Sequence, residues 1–249
     1  SGPNSLPVPI TTSRASQIGT VWGQAYQSTS KSLFFSTFVR PYTGFAAGGT
    51  TGSIYRVTPG TDGKWGTADD STTRFVDLNT LILPGTVGAT PTWSNNGGSA
   101  SLGSAGFGDL DISEDGKTLY AMNLADHKVY QIPLGNVATN PVAPTTASAV
   151  KVSPRLPTLA GCTVDEIPFG LGVHDGLVYA AQKCANASNV YSMTVYALNP
   201  VLNTWTPTPV LNAHVRTSNY DPGTYSSWMA PVDIAFDRGD MIIASRSLK

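Results

Sequence analysis

Three observations predict an all-β chain, a β-propeller of four-stranded antiparallel blades. One phrase recurs four times, turn-forming residues are abundant, and no stretch holds an apolar period of 3.6 residues over three turns. The copies run WGQAYQSTSKSLFFSTF from Trp22, GDLDISEDGKTLYAMN from Gly108, FGLGVHDGLVYAAQ from Phe169 and VDIAFDRGDMIIASR from Val232. Each is a small or acidic residue, an alternating strand, a polar turn and a second apolar strand. Repetition of this kind means stacked supersecondary units, none of which can bury its apolar face alone.

Residues 1–16, rich in Pro, Ser and Thr, read as an extended arm, and residues 17–249 as the propeller domain. The first blade takes strands at 22–26, 32–39, 52–58 and 72–78. The second takes 108–113, 117–123 and 127–133, after which a Pro/Ala/Thr stretch at 134–148 carries the chain onward. The third takes 169–174, 177–183, 191–198 and 204–210. Two segments, 79–106 and 212–229, read as long surface loops because Gly, Ser, Thr, Asn and Pro crowd them.

The fourth copy reaches only two strands before Lys249, which is half a blade. Either the N-terminal arm completes it, or the chain is a fragment of a larger propeller; the second is the expectation. Met241-Ile242-Ile243-Ala244 then forms an apolar edge that needs cover. Residues 5–12, or a segment of a second molecule, are expected along it, since Pro7 and Pro9 suit an outer strand.

Composition narrows the function classes. A net charge of −1 leaves no basic footprint for nucleic acid or an anionic membrane surface. No apolar run approaches the ~20 residues of a membrane span. Cys162 and Cys184, the two cysteines of the chain, flank a strand of the third repeat. An even pair in a Lys-poor, Thr/Ser/Asn-rich chain predicts one disulfide and a secreted or cell-surface protein.

The phrases GFGDLDISEDGKTLYAMNLADHKVYQI, IPFGLGVHDGLVYAAQKC and PVDIAFDRGDMIIASR are similar to the propeller region of large multi-domain bacterial surface proteins. In those proteins a propeller is followed by Ig-like or collagen-adhesin-type repeats. The resemblance implies an extracellular propeller with an adhesive or scaffolding role.

The loop Gly60-Thr61-Asp62-Gly63-Lys64-Trp65-Gly66-Thr67-Ala68-Asp69-Asp70 resembles the Asp/Gly loops of secreted bacterial proteins that can hold calcium. Hard cations take six to eight oxygens, and glycines let carbonyls converge beside carboxylates. Asp62, Asp69 and Asp70 are the candidate ligands; the alternative is that they cap the loop's own amides. Aligning the four copies makes Gly23, Asp109, Gly170 and Asp233 equivalent, at the start of the innermost strands. Asp109 and Asp233 then either hold a metal at a channel mouth or accept hydrogen bonds from the neighbouring blade.

His127, His174 and His214 lie on separate elements without metal-ligand spacing, and no nucleophile elbow, zinc-protease helix or phosphate loop occurs. Trp93, Tyr220, Tyr225 and Trp228 lie in the long loops, where aromatics stack sugars or fill a partner's pocket. The expected function is therefore non-catalytic binding of a protein or glycan through face loops. The alternatives are a metal-dependent propeller hydrolase or lyase, and a structural subunit of an extracellular assembly built from copies of the chain.

Overall fold

A computed structural model describes residues 10–91, 102–135, 140–162, 164–185, 191–215 and 229–247. They are all-β, in four separate antiparallel sheets. The first sheet is β1 (Val21–Gln27), β2 (Ser32–Thr37), β3 (Ser53–Thr58) and β4 (Ser71–Asp77), each paired with the next. A short helix α1 (Ala15–Ile18) precedes it and another, α2 (Leu78–Leu81), follows. The second sheet is β5 (Phe107–Ile112), β6 (Thr118–Asn123), β7 (Lys128–Pro133) and β8 (Lys151–Val152).

The third sheet is β9 (Val164–His174), β10 (Leu177–Ala185) and β11 (Tyr191–Asn199), with β12 (Thr204–Trp205) and β13 (Leu211–Val215) both paired to β11. The fourth is the hairpin β14 (Met229–Asp237) and β15 (Asp240–Ser247).

Two outer strands differ from the sequence expectation, and proline accounts for one. The predicted strand 204–210 is instead β12 and β13, broken at Pro207 and Pro209, which have no N–H to donate to a ladder. Residues 211–215 resume pairing, so the predicted loop 212–229 begins inside a strand. In the second sheet the stretch 134–148 leads back to a two-residue fourth strand, β8, held at Tyr130 and Gln131 of β7.

The first strands of the sheets lie side by side and parallel. Gly23 of β1 abuts Gly108 and Leu110 of β5, Gly108 abuts Phe169 of β9, and Gly170 and Gly172 abut Asp233 and Ile234 of β14. Each of these strands carries one extra residue opposite its partner at the same place. The shifts fall between Val21 and Gln24, Phe107 and Leu110, Pro168 and Leu171, and Pro231 and Asp233. A bulge sharpens local twist, and here it lies where neighbouring sheets come closest.

Each sheet buries its inner face against the next. Phe34, Ile54, Phe107, Leu110, Leu119 and Ile132 fill the space between the first two sheets. Phe169 anchors a second cluster, with Trp22 edge-on at 5.5 Å and Phe38 at 5.6 Å. Arg246 of β15 lies 4.3 Å over the Trp22 ring, joining the fourth sheet to the first.

Parallel first strands give the structure two unlike ends. At the hairpin end lie the β1–β2, β3–β4, β5–β6, β7–β8 and β9–β10 turns. At the connector end β4, β8 and β13 finish and β5, β9 and β14 begin.

Of the cover predicted for β15, residues 5–9 lie outside the described residues. Ile10 instead reaches Gly66 in the β3–β4 loop, and Ser13 meets the Thr72 hydroxyl at 3.1 Å. Among the described residues β15 pairs with β14 alone.

A Cβ at Gly23 would stand 2.6 Å from the Gly108 carbonyl oxygen, on backbone that cannot rotate away. Gly23→Ala should therefore cost about 1–3 kcal/mol in urea unfolding. Gly44→Ala, in open space, should change stability by no more than about 1 kcal/mol.

Candidate functional site

The seam between the second and third sheets is held by acidic side chains. Asp109 Oδ2 accepts from Leu171 N at 3.2 Å, Asp111 Oδ2 from Val173 N at 2.7 Å, and Glu114 from Asp175 N at 2.8 Å and Gly176 N at 3.2 Å. Asp109 and Asp111 project from alternate positions of β5, so both point the same way. Each also accepts from the amide that follows it, Leu110 at 2.9 Å and Ile112 at 2.7 Å. Three carboxylates thus supply the acceptors that β9 lacks on this side. Asp109 is buried, with both oxygens engaged, and Asp233, at the equivalent place in β14, is exposed.

Burial, and then the charge of Asp233, push the Asp109 carboxyl well above the usual carboxylate range. Burial also raises Asp111, to about 6, with Asp233 adding to it.

The geometry of Asp109 matches the inter-sheet hydrogen-bonding alternative. Among the described residues, the group whose ligand atoms converge tightly enough for a metal is Glu114, His174 and Asp175, at the hairpin end. His174 stacks on Phe236 of β14, 4.5 Å between centroids, with Nε2 3.5 Å from Asp175 Oδ2. The sequence hides this group because Glu114 comes from a different repeat.

The acidic loop joins β3 to β4 at the same end. Asp69 Oδ2 accepts from Thr61 N at 2.8 Å and Asp62 N at 3.3 Å, Asp62 Oδ1 from Lys64 N at 2.8 Å, and Asp70 Oδ2 from Gly66 N at 2.7 Å. The hydrogen bond from Thr67 and those from the loop amides hold Asp69 down at about 2. Four acceptors surround the single Thr67 hydroxyl: Asp69 Oδ1 at 2.7 Å, Lys64 O at 3.2 Å, and Asp62 Oδ1 and Asp70 Oδ1 at 3.5 Å. One hydroxyl has one proton to donate, so this oxygen-lined space has more acceptors than donors.

At the connector end Arg155 bonds Glu166 and, at 2.8 Å, His127 Nδ1, while Thr158 donates to Glu166 at 2.6 Å. Burial first, and then Arg155, lower the His127 pKa. Glu114 and Glu166, the two glutamates of the chain, thus sit at opposite ends of the second and third sheets. The Cys162–Cys184 disulfide ties the segment entering β9 to the end of β10. Trp93, Tyr220, Tyr225 and Trp228 lie outside the described residues. No helix is long and apolar enough to cross a membrane, among the described residues.

No family model matches the chain. Colossin-D of Dictyostelium discoideum is 24% identical over 255 residues, covering 92% of this chain and 25% of that protein. The chain therefore spans a quarter of the length of the curated relative it matches. Among solved structures, an exo-β-1,3-galactanase from Clostridium thermocellum is similar at 10% identity and a TM-score of 0.38, over 87% of this chain and 38% of that one. A protein assigned as a 6-phosphogluconolactonase, from Bacteroides uniformis, follows at 14% and 0.32, over 88% and 68%. At such scores neither fold nor activity passes from these structures to this chain.

The seam carboxylates set a pH dependence. A raised folded-state pKa makes stability greatest below the unfolded value and lost as pH rises, for Asp111 between about 4 and 6. Asp233→Asn removes the like charge, which is solvent-screened and so worth about 1 kcal/mol or less. The variant should melt above the parent by at most about 4 °C at pH 8 and level with it at pH 4. A difference independent of pH would assign Asp233 another role.

Proposed function

We propose that the chain folds into β-propeller blades, three of them four-stranded or larger and the fourth a hairpin among the described residues, and that it is extracellular. In this reading its connector end binds a protein or glycan, and the chain itself carries out no reaction. The supporting observation for the blades is the set of parallel first strands that share a bulge at one equivalent place, each sheet meandering outward from it. The observation that carries the binding role is that the long connections after β4, β8 and β13 leave from one end. Loops on a rigid frame are where recognition concentrates, and the disulfide pins one of these loops and suits an oxidising compartment. The similarity of the repeats to bacterial surface-protein propellers supports an adhesive or scaffolding role.

Replacing residues 216–228 with a Gly-Ser segment of equal length should abolish binding on a glycan array or to intact cells. So should the double variant Tyr225→Ala, Trp228→Ala. A parent protein that binds no glycan and no cell surface counts against the reading.

Calcium belongs to the same proposal, at Asp62, Asp69 and Asp70. Its support is the excess of acceptors around Thr67 and an Asp69 carboxyl held ionised. Millimolar calcium should raise the melting temperature of the parent and leave Asp69→Asn unchanged; equal melting in calcium and in chelator would remove calcium from the reading. A metal-dependent hydrolase is the second reading, favoured by the convergence of Glu114, His174 and Asp175 rather than by Asp109 and Asp233.

A further inference from the structure

A cavity of about 460 Å³ opens at the hairpin end of the first sheet, between the β1–β2 turn, the ends of β3 and β4, and Asn140 of the β7–β8 connection. Among the residues that line it, Lys31, Arg56, Thr58, Ser71, Thr73 and Asn140 supply two cations, three hydroxyls and an amide. The size falls within the range of small-molecule sites.

The two cations are not held in ion pairs among the described residues. Arg56 is half-buried in β3; its Nε donates to Ser32 Oγ at 2.8 Å and its Nη2 to Asn140 Oδ1, both neutral acceptors. Lys31 sits in the β1–β2 turn with φ of 50°, and its Nζ lies 3.3 Å from where a Cβ on Gly63 would stand. The ammonium therefore reaches across to the β3–β4 loop.

Asp62, Asp69 and Asp70 of that loop accept from its own amides and form no ion pair with either cation among the described residues. Burial also lowers the Arg56 pKa, with no charged group offsetting it. A partly desolvated guanidinium facing only neutral acceptors is stabilised by an anion, and its planar fork fits carboxylate or sulfate.

We propose that this cavity binds a small polyhydroxylated anion the size of one acidic sugar. Its acidic group lies between Arg56 and Lys31, and its hydroxyls lie against Thr58, Ser71 and Thr73. The site is at the end opposite the connectors, so it stands or falls independently of the binding face proposed above.

Calorimetric titration at low salt with glucuronate, glucose 6-sulfate and glucose tests it and separates a carboxylate from a sulfate ligand. At least one acidic sugar should bind, with glucose at least about tenfold weaker, a difference of about 1.4 kcal/mol. Arg56→Gln and Lys31→Asn should each weaken the acidic sugar about tenfold or more. Lys31→Asn keeps the exposed turn intact, since Asn tolerates positive φ, and so reports even if Arg56→Gln unfolds. Replacing residues 216–228 should leave this affinity unchanged. Equal binding by parent and Lys31→Asn, glucose bound as tightly as the acids, or sulfate ion bound with neither acidic sugar, would overturn the proposal, as would no binding at all.

Discussion

The close approach of parallel first strands that share no backbone ladder is the constraint on which the rest of the structure depends. Strands in one sheet satisfy each other's amides, but strands of adjacent sheets must find acceptors elsewhere or keep their amides turned inward. Two solutions occur along the seams. Where Gly23, Gly108, Gly170 and Gly172 stand, the missing Cβ lets one backbone lie directly on the next. Between the second and third sheets, Asp109, Asp111 and Glu114 reach across and accept the amides of β9 and its turn. The second solution leaves like charges close together, and the protein meets that by keeping Asp109 and Asp111 more readily protonated than usual.

Most of the strand order was legible because each repeat carries its own period-two alternation and its own polar turn. Where that signal is strong, as in Ser32–Thr37 and Tyr191–Asn199, the strands fall within a few residues of their expected places. It failed at the outer strands, where pairing is short and composition is loop-like. Lys151–Val152 carries no alternation to detect, and Leu211–Val215 follows two prolines that read as the start of a loop.

The candidate sites were legible in part, for a related reason. Aligning Gly23, Asp109, Gly170 and Asp233 located the seams from sequence, because equivalent residues of a repeat occupy equivalent places. What an aligned carboxylate does depends on its neighbour, and sequence gives no sight of the amide of Leu171. Glu114, His174 and Asp175 meet only because the turns of two repeats lie side by side. Lys31, Arg56 and Asn140 likewise come from a turn, a strand and the connection of another sheet. Neither group has a spacing that a motif could capture.

The broken outer strand of the third sheet has a bearing on how such chains behave when crowded. A continuous rim would offer a long row of free amides and carbonyls, on which a strand from another molecule could lengthen the sheet. Pro207 and Pro209 remove two of those donors midway, so an incoming strand meets only Thr204–Trp205 or Leu211–Val215 before its register is lost. A shorter run of free donors is a poorer template for strand addition. The same prolines that obscure the strand in the sequence therefore interrupt the row of donors along the rim of the third sheet.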